Sequence, residues 1–152
     1  MKTFSSTKFI LFCLLTLFVC MFSTKANAGD YLGDFCWRYS GSTYGGTATV
    51  QLGINSIGGG HFLCSGVITA DSYPENLWPS NGKFTTFGNA EIVGNGIKIT
   101  LAFAGARNGV IGNDMFVVTL NPKTLDGTGK RIGVYSEKIE TEDITLAFIG
   151  CQ

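Results

Sequence analysis

Four groups of residues have types and spacings that could carry chemistry. His61 is the only histidine of the chain, and Cys64 follows three positions later. A nucleophile–His–acid triad, or a shared metal site, needs such side chains side by side. In an extended segment, residues three apart face opposite ways. His61 therefore reads as a solvated strand-end residue beside Gly60. Gly127-x-Gly129-x-x-x-Gly133 has the wrong spacing for a Gly-x-Gly-x-x-Gly phosphate loop and runs into a β-rich segment, so its glycines read as turn chemistry. Glu137, Glu140, Glu142 and Asp143 place four carboxylates within seven residues, enough oxygen in number for Ca²⁺. Their spacing fits no Ca²⁺ loop and Lys138 sits among them, so they read as a solvated connection that also discourages edge pairing. Nothing marks a pair of carboxylates for glycoside hydrolysis. These readings predict a protein that is not an enzyme and needs neither cofactor nor metal.

The fourth group is aromatic, and its meaning depends on the elements that hold it. Glycine and Asn-Gly or Asp-Gly pairs punctuate the chain at short intervals: Gly45-Gly46, Gly58-Gly59-Gly60, Asn81-Gly82, Asn95-Gly96, Asn108-Gly109 and Asp126-Gly127. Between them lie eight β-rich runs, at about residues 33–40, 46–56, 61–70, 83–93, 96–104, 114–121, 128–136 and 143–150. No window of helical length carries a 3.6-residue apolar stripe; Pro74 to Trp78 allows one turn at most. Apolar residues alternate in several runs: Phe35/Trp37/Tyr39, Ala48/Val50/Leu52/Ile54, Ile97/Ile99/Leu101/Phe103 and Ile144/Leu146/Phe148. Such period-2 alternation gives one dry and one wet face, as in an antiparallel sheet wrapped around a core. Met115 to Leu120 is apolar on both faces, which leaves its orientation open. The echo of Ile99-Thr-Leu-Ala-Phe-Ala-Gly105 in Ile144-Thr-Leu-Ala-Phe-Ile-Gly150 reads as two strands meeting one packing problem.

Composition narrows the class. With 152 residues, 45% hydrophobic, 14% charged and 21 glycines, the chain suits neither disorder, nor a coiled coil, nor two ordinary domains. Residues 1–28 read as a secretory signal peptide. Lys2 and Lys8 form its basic start, Phe9 to Phe22 its uncharged run of fourteen residues, and Ala26-Asn27-Ala28 the small-x-small site before Gly29. The run is short for a membrane span, which takes ~20 residues. The expectation is a secreted or periplasmic protein with a single β-barrel domain over 29–152. Removing Lys2, Lys8 and Lys25 from 11 basic residues leaves 8 against 11 acidic, a net charge of −3. That balance predicts no nucleic-acid partner and no attraction to anionic membranes.

The cysteines bear on the fold. Cys36, Cys64 and Cys151 remain after the cut, so one disulfide and one free thiol are expected outside the cytosol. Eight short strands joined by tight turns form either a β-sandwich or a closed up-and-down barrel. With Trp37 and Leu146 inward, Cys36 and Cys151 share the outward parity. In a closed barrel the first and last strands are neighbours, so these two cysteines can meet. The expectation is an all-β, antiparallel eight-stranded barrel closed by Cys36–Cys151, with Cys64 free and mostly buried; mispairing through Cys64 is the alternative.

Gly33-Asp-Phe-Cys-Trp37 at the start of the first strand, ahead of an eight-stranded meander, resembles the lipocalin or calycin barrel class, although that class has one residue rather than three between its Gly and Trp. The resemblance implies a cup that binds small, often hydrophobic molecules. Trp37, Tyr39, Phe84, Phe87 and Phe103 read as interior residues. The long connection Asp71–Gly82 holds Tyr73 and Trp78 between Pro74 and Pro79, as a lid or a plug of the barrel mouth. Trp37, Tyr39, Phe84, Phe103, Tyr73 and Trp78 are thus the candidate ligand-binding residues of a monomer for a small apolar or amphipathic molecule, with no stable membrane insertion. An eight-stranded barrel is just wide enough to be filled by side chains or to hold one small ligand. The alternative is therefore a filled barrel serving as a structural or protein-interaction module of the cell envelope. An outer-membrane barrel is a third reading, and purification without detergent separates it from the others.

Overall fold

A computed structural model describes residues 29–43, 45–72, 82–107, 110–135 and 138–151. The segment 1–28, Tyr73 and Trp78 lie outside the described residues. Eight strands follow one another: β1 (Asp30–Gly41), β2 (Thr47–Gly58), β3 (His61–Ser72), β4 (Lys83–Val93), β5 (Gly96–Arg107), β6 (Val110–Leu120), β7 (Gly127–Tyr135) and β8 (Lys138–Phe148). Each pairs antiparallel with the next, and β8 returns to β1, so the sheet is a closed barrel rather than a sandwich. This is the architecture that the calycin resemblance implies.

The alternation read from the sequence decides what faces inward. Trp37, Tyr39, Val50, Leu52, Ile68, Ile99, Leu101, Phe116 and Val118 form the core and are at most 2% exposed. The open question of the sixth strand is settled by its pairing with β5: Phe116, Val118 and Leu120 turn inward opposite Leu101, Ile99 and Ile97. Arg38, Gln51, Lys98, Lys130 and Asp143 are on the outside.

Two expectations need correction. Phe87 is not an interior residue: it is 66% exposed, because Phe84, Thr86 and Ala90 take the inward parity of β4 and Phe87 falls on the other. The acidic stretch is not simply a solvated connection either. β8 begins at Lys138, and Glu142 lies within it, 3% exposed, facing the interior.

The barrel has two unlike ends. The β2–β3 and β4–β5 turns, the β6–β7 connection, Asp30 and Cys151 lie at what is here the terminal end; the β1–β2 turn, Ser72 and Gly82 lie at the other, the loop end. At the terminal end the Trp37 indole N–H donates to the carbonyl of Leu125, at 2.8 Å, so the β6–β7 connection folds under the core. Leu125 has φ +62°, a conformation costing a side-chain-bearing residue about 1–2 kcal/mol. It is held by its N–H bond to Asn121 O, at 2.7 Å, and by the Asn121 N–H bond to Asp126 O, at 2.8 Å. Phe35 and Phe148 pack against Trp37 there, with ring centroids 6.1 and 5.8 Å from it.

The strand pairings differ in length. The register between β1 and β8 covers five residues of each strand, Trp37–Gly41 against Ile144–Phe148, whereas the other seven run over eight to eleven. The Cys36–Cys151 disulfide links the two sides at the terminal end of this short pairing, and Cys64 is free and buried.

Candidate functional site

The interior changes character toward the loop end, where a buried polar network replaces the hydrocarbon. Asp114 on β6, Arg131 and Tyr135 on β7, and Glu142 on β8 all take inward parities, and Tyr39 reaches them from β1. The guanidinium Nε of Arg131 lies 2.8 Å from Asp114 Oδ1; the two form an ion pair whose N–H is not aligned as a hydrogen bond. Its Nη1 lies 3.6 Å from Glu142 Oε2, and its Nη2 donates to the Tyr135 hydroxyl at 3.2 Å. Tyr135 in turn donates to Asp114 Oδ2. Glu142 accepts from the Tyr39 hydroxyl at 3.1 Å and from the Thr43 backbone N–H at 3.0 Å.

Space for this network comes from missing side chains. A Cβ at Gly41 would collide with the Glu142 carboxylate and lie 2.8 Å from the Tyr39 hydroxyl. A Cβ at Gly133 would stand 2.9 Å from Asp114 Oδ1 and 2.8 Å from the Tyr135 ring. Gly133, expected with Gly127 and Gly129 to serve a turn, instead lies within β7 and makes room for a carboxylate inside the barrel.

Burial raises the Asp114 pKa above the usual carboxylate range, against the lowering effect of Arg131 and Tyr135; Glu140 nearby pushes it further up. Burial alone would discharge Arg131, but the Asp114 carboxylate and Tyr135 outweigh it and hold the guanidinium protonated. Desolvation pushes the Cys64 thiol up to about 11, so it is protonated and inert at neutral pH. His61 lies exposed at the start of β3 while Cys64 is buried, so the two are not brought together.

The aromatic candidates are placed as follows. Trp37 and Tyr39 are buried in the core, and Tyr39 stacks on Phe116 with centroids 5.1 Å apart and planes 5° from parallel. Phe103, 3% exposed, meets Phe116 edge-on at 5.0 Å. Phe84 is half-buried, 6.1 Å from Phe103. Tyr39, Phe116, Phe103 and Phe84 thus form one chain of ring contacts through the interior, while Trp37 packs against Phe35 and Phe148 at the terminal end. A groove of about 910 Å³ lies elsewhere, at the terminal end, between the β4–β5 turn and the β6–β7 connection, where Ile92, Val93, Pro122 and Lys123 line it. Sequence reading did not find Asp114, Arg131 or Tyr135. The signal available for Asp114 is its shared parity with Phe116 and Val118; Arg131 and Tyr135 turn inward through the β6–β7 register, which pairs Arg131 with Phe116.

No family model and no curated protein matches the chain. Among solved structures it is similar to the crystal structure of core-bradavidin, at 18% identity and a TM-score of 0.47, over 75% of this chain and 99% of that one. At this identity the likeness is one of fold alone.

Proposed function

We propose that this protein is a non-catalytic barrel module that acts through its outer surface and its loop end, not through a deep internal cup. The observation that carries this reading is the occupied interior. Trp37, Tyr39, Phe116 and Phe103 are 0–3% exposed, so each faces other side chains and not an open space. An eight-stranded barrel is narrow enough to be filled by side chains alone, without a ligand. Native mass spectrometry of the protein purified gently from its own compartment tests the reading. The expected species has the mass of the processed chain less two hydrogens and carries no adduct; a reproducible adduct lost on denaturation would overturn it.

A second reading keeps the small apolar or amphipathic ligand, with Phe84 and Phe103 as its contacts, Trp37 and Tyr39 beneath, and Tyr73 and Trp78 over the mouth. The half-buried Phe84 ring beside Phe103 favours it. A tryptophan-fluorescence titration with hydrophobic probes checks it: a saturable change that disappears in Phe84→Ser supports a mouth site, and a flat response removes it. For either reading we propose a secreted or periplasmic protein, with residues 1–28 as the cleaved signal. The Cys36–Cys151 disulfide supports an oxidising compartment.

A further inference from the structure

We propose that the β1–β8 seam is a conformational latch, opening from the loop end while the rest of the barrel stays folded. Three observations place the weak joint there. The seam has the shortest strand pairing in the barrel, five residues against eight to eleven elsewhere. Its terminal end is held covalently by Cys36–Cys151, across 115 residues of sequence. Its loop end is held by polar contacts that converge on Glu142. There β8 accepts from Tyr39 of β1 and from the Thr43 N–H of the β1–β2 turn, and the Ser42 N–H bonds to Asp143 O at 3.0 Å.

A joint with a covalent staple at one end and exchangeable hydrogen bonds at the other parts from the second end first. Opening costs the few ladder bonds of the seam and the Glu142 contacts. Global unfolding costs all the longer pairings and the core, so the two processes have different free energies. The opened state presents two unpaired strand edges and uncovers the Tyr39 side of the core. Such edges accept an extended peptide segment by main-chain hydrogen bonding. This inference concerns the motion of the barrel and does not depend on which proposed function holds.

The hydrogen-bond parity supplies an internal control. Ser42 N–H to Asp143 O and Ile149 N–H to Cys36 O flank the seam, so even-numbered residues of β1 and odd-numbered residues of β8 bond across it. The Gly41 N–H turns the other way, to Gly46 O of the β1–β2 connection, as do the odd positions of β1. Native-state hydrogen exchange, resolved by residue on the intact oxidised protein, reads the difference. The amides of Arg38, Ser40, Thr145 and Ala147 are expected to be at least about 100-fold less protected than those of Trp37 and Tyr39, with a smaller dependence on urea. Equal protection on the two faces of β1 would overturn the proposal. Tyr39→Phe, which removes one hydroxyl from Glu142, is expected to accelerate Ser40 and Thr145 by about 5- to 10-fold relative to β5–β6 amides, the worth of one hydrogen bond. Uniform acceleration throughout the barrel, or none at the seam, would also overturn it.

Discussion

Replacing Arg131 by methionine tests whether the polar network at the loop end is truly desolvated. The Arg131 side chain is 2% exposed, and those of its partners Asp114 and Glu142 are 0% and 1% exposed. Removing the guanidinium leaves two carboxylates inside a hydrocarbon-walled barrel with their main compensating charge gone. Breaking a buried pair in this way costs about 3–5 kcal/mol. Neutralising Asp114 as well costs less, because the one carboxylate left, Glu142, keeps its hydrogen bonds from Tyr39 and Thr43. Arg131→Met is therefore expected to lower stability by about 4 kcal/mol at pH 7. Arg131→Met with Asp114→Asn should recover at least ~1–2 kcal/mol of that loss, a coupling large enough to resolve in a double-mutant cycle. Urea unfolding followed by tryptophan fluorescence measures both. A slope of about 2 kcal/mol/M puts the single variant's midpoint about 2 M below that of the native protein.

The pH dependence gives a second handle on the same network. The folded-state pKa of Asp114 is raised above its unfolded value. Its contribution to stability is thus fully present below the ordinary carboxylate range and is lost as pH rises through the raised value. Without Arg131 that pKa rises further, so the Arg131→Met deficit should shrink on acidification toward pH 4. A deficit below about 1 kcal/mol at pH 7, or one that grows on acidification, would refute the picture of a dry ionic network.

The remaining predictions concern packing and the cysteines. Phe103→Ala should cost about 3–5 kcal/mol, whereas Phe87→Ser, on the outer face of the same sheet, should stay within about 0.5 kcal/mol; thermal or urea melts compare them. Reducing Cys36–Cys151, or replacing both cysteines by alanine, should lower stability by about 2–5 kcal/mol, measured by melts with and without reductant. Cys64, with its thiol pKa near 11, should resist a thiol reagent at pH 8 in the folded protein and react at once in denaturant.

Much of this architecture was written locally, in alternation and turn chemistry. Period-2 runs such as Ala48/Val50/Leu52/Ile54 dictate strands with one dry face, and paired glycines dictate where they turn, so eight strands and their inward residues follow from short stretches of chain. The shared parity of Cys36 and Cys151 likewise anticipated a bridge, given a closed barrel. Phe87 reads as interior by its hydrophobicity alone, but the alternation of β4, with Phe84, Thr86 and Ala90 inward, turns it outward.

What only the tertiary structure decided is which remote residues meet. Asp114, Arg131, Tyr135 and Glu142 look like ordinary surface residues in sequence, since a charge next to a turn is usually solvated. Curling of the sheet turns their side of β6, β7 and β8 inward, closure brings Tyr39 of β1 to Glu142, and the absence of a Cβ at Gly41 and Gly133 leaves room for them. Whether the interior is filled was likewise beyond any local pattern, because it depends on how rings from β1, β4, β5 and β6 interlock across the barrel. The short β1–β8 register belongs to the same class: closure joins the two ends of the chain, and no neighbouring residues encode its length.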